Sequence, residues 1–507
     1  MPEPDHNGGD DDSIRKQEVV KIPKVATRAL WIMGLSIILI LYVHTSLAPA
    51  LTQMVDFFHS DYGTVSWVLT AYLVSGAAVT IVIGRLADIY GAKKMMLLVF
   101  LCYIIGTVFG GFAQDIYVLL VFRVIQGVAV ALVPIAIRIA RDLFPKEKFP
   151  MAQGVILAMY QGGSAIGLVL GAAVVYFGGW QWVFYSAIPF ALIFFFLLWK
   201  FIPKGSVVPR VSEDTATNGI KPKGHGSIID IPGVITLTLT VSTFMLAITF
   251  LGKGSSSSGL FWLFLGIGVA SIIAFFMTEK RSKIPLISLK LAFHKIIRLG
   301  NISYLMLGVI QYIIFSTIPT LGQTIAPYGL GMNTLQVGLL QLPQALVFVA
   351  LGPIAGIMAI RYGSSRFIVP GSIILCIGIL GLLAFHSTGA EVAGILILFA
   401  VGGAFVTLSA NVIMFFTPSE STAVVAATYS TMRIIGGAIG PVIAGLFLQI
   451  YTTNVQTSEG VTSAVPNAMA FNAIFLVGAI ISLSMVALML IMKRRALKMG
   501  MPAGRIQ

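Results

Sequence analysis

With 507 residues, 57% of them hydrophobic and only 10% charged, the chain has a mean hydropathy of +0.94. A soluble fold of this length needs far more charge on its surface, so the composition excludes one and requires a polytopic membrane protein. The net charge of +14 does not mark a nucleic-acid groove, because the cations fall in short blocks between apolar runs, as they do at membrane surfaces.

The first 28 residues are polar, acidic at Asp10, Asp11 and Asp12 and basic at Lys21, Lys24 and Arg28. They do not form a cleaved signal peptide, because the apolar segment that follows is too long and lacks a small-residue cleavage pattern. A helix needs about 20 apolar residues to cross the hydrocarbon. On that basis spans are expected near 30–51, 64–84, 95–114, 117–137, 153–176 and 181–201, followed by a polar linker near 203–228. Two more fall near 231–251 and 259–278, and six near 299–322, 334–359, 367–387, 391–414, 422–450 and 469–492. The expected architecture is all-α, with about 14 transmembrane helices: a tail (1–28), a six-helix bundle (29–202), a linker (203–230), two inserted helices (231–278), a loop (279–298), a second six-helix bundle (299–492) and a tail (493–507). With the N-terminus inside, 30 of the 33 Lys and Arg residues fall on the cytoplasmic side, leaving Lys253 outside and Arg123 and Arg433 within spans. Reversing the orientation or dropping one helix scatters these blocks, so both termini are expected to be cytoplasmic.

Between the second and third spans lies Gly84-Arg85-Leu86-Ala87-Asp88-Ile89-Tyr90-Gly91-Ala92-Lys93-Lys94. Such a turn belongs at a membrane surface. Gly84 would let two helix backbones approach closely, and Gly91 would supply the turn. Asp88 could face the positive N-terminal end of a neighbouring helix, while Lys93 and Lys94 hold the loop inside. An ordinary inner loop with snorkelling lysines is the plainer alternative. The pattern resembles the loop between helices 2 and 3 of the major facilitator superfamily of transporters. The segment from Gly356 through Ile360 to Gly363, followed by Arg366, repeats it at an offset of 272, with Ile360 in the place of Asp88. At nearly the same offset, Gly163, Gly167 and Gly171 correspond to Gly436, Gly440 and Ala444, with Pro441 after the second of these. Two halves related by an axis along the membrane normal would produce this.

The resemblance extends over nearly the whole chain. Trp67-Val68-Leu69-Thr70-Ala71-Tyr72 is similar to the second helix of the 14-helix drug:proton antiporter branch. Arg123-Val124-Ile125-Gln126-Gly127 with Pro134 is similar to its fourth, and the stretch from Ser430 to Gly440 to a late one. The resemblance implies alternating access by a multidrug-type, proton-coupled exporter in the plasma membrane, with one chain as the working unit. In that family the Asp88 loop joins the halves at the cytoplasmic face in the outward-open state. Asp88 would then cap the helix that begins near Ser419, Glu420 and Ser421, and Lys93 or Lys94 could meet Glu420.

Two departures bear on mechanism. The family's helix-5 glycine ladder usually carries a Gly-Pro pair, whereas this chain reads Gly154, Gly163, Gly167, Leu168, Gly171, Ala172, and keeps Gly440-Pro441 in the other half. Packing of small residues is the simplest role for both stretches. Relatives that export cationic drugs commonly place an aspartate in helix 1, where this chain has Tyr42-Val43-His44-Thr45-Ser46. None of the 19 acidic residues falls mid-span.

The intramembrane ionisable set is therefore His44, Arg123 and Arg433. Groups at that depth need a partner, water or a function. Either arginine could be a structural anchor, and His44 could be a hydrogen-bonding core residue. His44 is nevertheless the only one whose charge changes near neutral pH, which makes it the candidate proton carrier. Tyr72, Gln126, Tyr160, Gln161, Gln311, Tyr312, Gln341, Gln344 and Asn411 are the candidate lining of a weakly polar cavity for a small molecule. A positive or neutral cavity favours neutral amphiphiles or anions over organic cations. Uptake or facilitated transport of an anionic or neutral metabolite is the alternative, and a non-transporting scaffold or sensor a more distant one. No P-loop, His-Glu-x-x-His or Ser/His/Asp constellation points to an enzyme or to ATP, and no metal or cofactor is expected. Cys102 and Cys376 sit in separate apolar runs as small buried residues.

Overall fold

The computed structural model describes residues 22–145, 148–203, 231–252, 258–282, 293–417, 422–456 and 462–501. Helix α1 is Lys24–Ser46, followed by the short α2 (Leu51–Phe57) and α3 (Tyr62–Val65), then α4 (Trp67–Tyr90) and α5 (Ala92–Gly111). Helices α6 (Ile116–Gly127) and α7 (Leu132–Leu143) form one crossing joined by a 3-10 turn, and α8 (Phe149–Gly178) and α9 (Gln181–Phe201) complete the first bundle. The inserted pair is α10 (Ile231–Gly252) and α11 (Ser258–Arg281). The second bundle comprises α12 (Lys295–Gln323), α13 (Thr334–Tyr362), α14 (Ile368–Ala384), α15 (Gly389–Val406), α16 (Ser409–Phe415), α17 (Thr422–Ile450) and α18 (Ala468–Lys498). Among the described residues, 13 helices are long and apolar enough to cross a membrane. Helix α8 stands in the remaining place of the expected set, with Gly162–Gly178 as its apolar stretch.

Two apolar cores match the two bundles. One gathers Met33, Phe100, Tyr103 and Phe184, and the other Phe399, Phe471, Phe475 and Met485. The inserted pair touches both bundles: Leu237 of α10 and Phe275 of α11 pack with Ala77 of α4 and Ile435 of α17. The Trp67 Nε1–H also donates to Thr249 Oγ1 at 2.8 Å.

Asp61, Asp115 and Glu391 are helix caps. Asp61 accepts from the Thr64 amide, Asp115 from the amides of Tyr117 and Val118, and Glu391 closes a reciprocal box with Thr388. Each satisfies amides that begin a helix, worth about 1 kcal/mol apiece. Between α17 and α18, where a loop is expected, Thr452–Gln456 and Thr462–Pro466 pair as an antiparallel hairpin. The β-branched Thr452, Thr453, Val455, Thr462 and Val465 favour that pairing.

The internal repeat is visible in the backbone. Helix α4 ends on Gly91 at φ 96° and α13 on Gly363 at φ 86°, a region that favours glycine. Their amides bond to the carbonyls of Ala87 and Ala359 respectively, again 272 positions apart. In the first half, Gly163 lies on Ile38 of α1 and Gly167 on Tyr42; in the second, Gly436 lies on Leu305 of α12 and Gly440 on Val309. Gly171 meets Ser46. Each ladder thus opens a seam in which two backbones come into direct contact, with Pro441 buried in the second. Gly154 departs from this pattern, since a Cβ there would meet nothing within 4 Å.

Among the described residues, contacts between the bundles gather at one end. At the end away from Ile22 and Met501, Gln323 Nε2 donates to the Pro49 carbonyl at 2.8 Å and Thr70 Oγ1 to that of Ala438 at 3.1 Å. Gly338 of α13 packs on Ala172 of α8, and Gly445 of α17 on Ser66. At the terminal end, Cβ atoms at Gly84, Gly154 and Gly356 would have no neighbour within 4 Å. In this conformation, therefore, Gly84 makes no close helix approach. Among the described residues, the halves are parted by a cleft at the end that carries Ile22 and Met501.

Candidate functional site

Helix α6 places Arg123 in the first bundle with no solvent exposure. Its Nε–H donates to the Val68 carbonyl of α4 at 2.8 Å, Nη1 donates to Gln126 Oε1, and Nη2 lies 3.0 Å from His44 Nδ1. The Gln126 amide donates in turn to Thr107 Oγ1 of α5 at 2.8 Å. The guanidinium also stands 4.6 Å over the Tyr72 ring, which stacks on the His44 imidazole at 4.3 Å. Close packing makes this possible: Gly127, one residue after Gln126, lies against the Tyr72 carbonyl, and Ser75 Oγ donates to Val124 O at 2.6 Å.

Four candidates from three helices thus form one cluster with no carboxylate among its described members. Arginine only donates, so His44 Nδ1 must accept and the imidazole is neutral with its proton on Nε2. That Nε2 is buried and has no hydrogen-bond partner. Adding a proton at Nδ1 would set two cations against each other and break the bond to Arg123. The ring also faces the second bundle, with Tyr312 at 6.1 Å and Phe315 at 6.4 Å.

A second polar group lies across the cleft. Arg433, half-buried on α17, donates through Nη2 to Gln311 Oε1 of α12 at 2.7 Å. The Tyr312 ring rests on Gly437, one turn beyond Arg433, and against Phe315 at 5.6 Å. Tyr160 of α8 is half-buried within electrostatic reach of Arg433, and the Gln161 side chain lies outside the described residues. Gln344 is half-buried on α13, and Gln341 is buried with its Nε2 unpartnered.

Asn411 is exposed on α16, and its Nδ2 donates to Ser364 Oγ at 3.0 Å, tying α16 to the turn after Gly363. Helices α15 and α16 form one crossing, Gly389–Phe415, with a break at Thr407 and Leu408, and Asn411 lies near its end. Of the loop residues, Lys93 donates to the Trp199 carbonyl at the end of α9 at 2.6 Å, and Lys94 is exposed. The side chain of Asp88, and residues Ser419, Glu420 and Ser421, lie outside the described residues. Sequence reasoning missed Val68, which offers only a backbone carbonyl, and Thr107, which nothing local marks. It also missed Phe315, legible only as the residue one turn beyond Gln311.

A sequence profile described as Major Facilitator Superfamily matches residues 33–321 and 300–504. The chain belongs to that superfamily. This superfamily member is 29% identical to multidrug resistance protein 3 of Bacillus subtilis over 62% of its own length and 58% of that relative's, so it spans less than two thirds of that protein. It is 23% identical to the multidrug transporter protein MdtP of the same organism, over 86% of its length and 78% of MdtP. Its fold matches the crystal structure of a bacterial homologue of the human lysosomal transporter Spinster in an inward-facing, unoccupied conformation. The TM-score is 0.64 at 14% identity, covering 94% of this chain and 99% of that one. The facilitator fold and its apolar helices make the chain a multi-pass protein of the plasma membrane.

Proposed function

We propose that the chain is a secondary transporter that expels small organic molecules, of the multidrug type, in exchange for protons, and that it acts as a monomer without enzymatic activity. The observation that carries this reading is the His44–Arg123 contact at 3.0 Å in a centre with no carboxylate among its described members. The similarity to two proteins named for multidrug resistance and transport supports the class of cargo. Cation distribution favours cytoplasmic termini, which makes the described conformation inward-open. Protonation of His44 would release Arg123, and rocking of the bundles about the cleft would expose the imidazole to the other side. The family's gating role for Asp88, Gly91, Lys93 and Lys94 belongs to the opposite, outward-open state.

The direct test is reconstitution into vesicles with an imposed pH gradient, monitoring movement of a fluorescent drug. A gradient that drives the drug against its concentration, and collapses with a protonophore, supports exchange. The missing carboxylate favours a second reading, gradient-independent passage of an anionic or neutral metabolite. The same assay would show that as equilibration unaffected by the gradient.

A further inference from the structure

The two intramembrane arginines differ in what they leave unused. Arg123 has no exposure and spends its donors on Val68, Gln126 and His44. Arg433 is half-buried and makes one hydrogen bond, to Gln311, and no carboxylate among the described residues faces it. A guanidinium carries five N–H donors, so an edge of its fork stays open. Gln311 gives its oxygen to Arg433, which leaves its amide N–H groups as donors. Among the described residues, neither the Tyr160 nor the Tyr312 hydroxyl has a hydrogen-bond partner, and both rings are half-buried.

The internal repeat adds an independent argument. The contacts of Gly163 with Ile38 and Gly436 with Leu305 set α1 against α12 at an offset of 267, and α8 against α17 at 273. By those registers Gln311 occupies the position of His44, and Arg433 that of Tyr160. The two halves thus place different chemistry at equivalent points beside the cleft, a neutral imidazole and phenol on one side and a cation with an amide on the other.

We propose that Arg433 and Gln311, walled by Tyr160 and Tyr312, form the subsite that holds the charged end of the transported molecule, a carboxylate borne on an aromatic or apolar body. This rests on the transport reading above. A single guanidinium balances a monoanion, whereas a dianion such as a phosphate monoester would remain charged once the cleft closes. The flat fork suits a carboxylate, and the rings of Tyr312 and Phe315 suit an apolar body. The subsite also gives a reason for coupling cargo to movement. Water can solvate Arg433 in the open cleft, but closure strips that water away, and a bound carboxylate replaces it.

The test compares binding of naphthalene-2-carboxylate and naphthalene-2-carboxamide to the purified full-length protein by calorimetry, in wild type, Arg433→Gln and Arg433→Lys. Thermal unfolding checks that each variant is folded. The expected result is at least about tenfold tighter binding of the carboxylate by wild type, the gap that one charge-assisted hydrogen-bonded pair supplies. Arg433→Gln should bind both compounds alike, and Arg433→Lys should keep a reduced preference. A wild type that does not discriminate or binds neither compound, or an Arg433→Gln variant that keeps the preference, overturns the proposal. Gradient-driven movement of the amide without any binding preference would sink the subsite alone. Preference lost with Arg433, but no movement of either compound under a gradient, would sink the transport reading while the anion subsite stands.

Discussion

His44 and Arg123, 79 positions apart in the chain, meet at 3.0 Å, with the imidazole stacked on Tyr72 and its other nitrogen unpartnered. Glutamine offers an oxygen that can replace Nδ1 as acceptor but cannot carry a proton. His44→Gln should therefore leave the protein folded and abundant while cutting pH-driven transport by at least about tenfold. Exchange of labelled for unlabelled substrate at equal pH on both sides should continue. Undiminished gradient-driven accumulation by the variant would place the proton elsewhere.

Arg123 has a different sensitivity, because its three partners lie in three directions that only a planar fork spans. Arg123→Lys keeps the charge but abandons at least one of Val68 O, Gln126 Oε1 and His44 Nδ1. Each buried polar group so stranded costs about 1–3 kcal/mol. The variant should unfold at a lower temperature in detergent and transport poorly. A melting profile identical to wild type would show that the cluster contributes little to stability.

The glycine seams give a graded test. A side chain at Gly167 would strike the Tyr42 backbone, with Cα at 2.7 Å and the carbonyl oxygen at 2.8 Å, two residues from His44. Gly167→Leu should cost about 1–3 kcal/mol and disable transport by pushing α1 away. Gly154→Ala, with nothing within 4 Å, should be harmless to folding. Thermal stability of the two variants, side by side, decides whether the ladder is one seam or two unlike parts.

Much of this could be read from the sequence because a bilayer leaves few choices. Apolar length gave the helices, and α17 runs over the expected 422–450. Repeat spacing gave Gly91 and Gly363 as equivalent turns. The motif Arg123-x-x-Gln126-Gly127 put the cation and its amide on one helix face, but did not show that His44 would meet them. Lateral neighbours are set by how helices rotate and cross, which spacing along one helix does not encode. The meeting of Arg433 with Gln311 is hidden from the sequence for the same reason. The capping by Asp61 and Asp115 was legible in principle, each acid standing just before an apolar run.

The gating role proposed for Asp88 concerns the conformation opposite to the one described. Lys93 here holds the end of α9, and Gly84 has open space beside it. If the loop locks the cytoplasmic side when the outer side opens, Asp88→Asn should cripple transport while leaving the amount of membrane-inserted protein nearly unchanged. Gly84→Ala should fold normally and slow transport by hindering closure. Loss of folded protein from the membrane in either variant would point to a structural part instead.

The closed end offers the last test. Gly338 packs on Ala172 across the two bundles, with an ideal Cβ at 338 falling 2.5 Å from that of Ala172, so a cysteine pair reaches disulfide spacing once the two backbones part by about 1 Å. In a background with Cys102→Ala and Cys376→Ala, the pair Ala172→Cys and Gly338→Cys should cross-link on oxidation. If transport needs this end to part, the cross-linked protein should be inactive and recover with a reductant. Cysteines placed singly at Gly84 or Gly356 should meanwhile stay reactive toward a polar maleimide, because the opposite mouth is held open. A cross-linked protein that transports at the uncross-linked rate would show that the bundles do not separate at Gly338, and alternating access through this cleft would have to be abandoned.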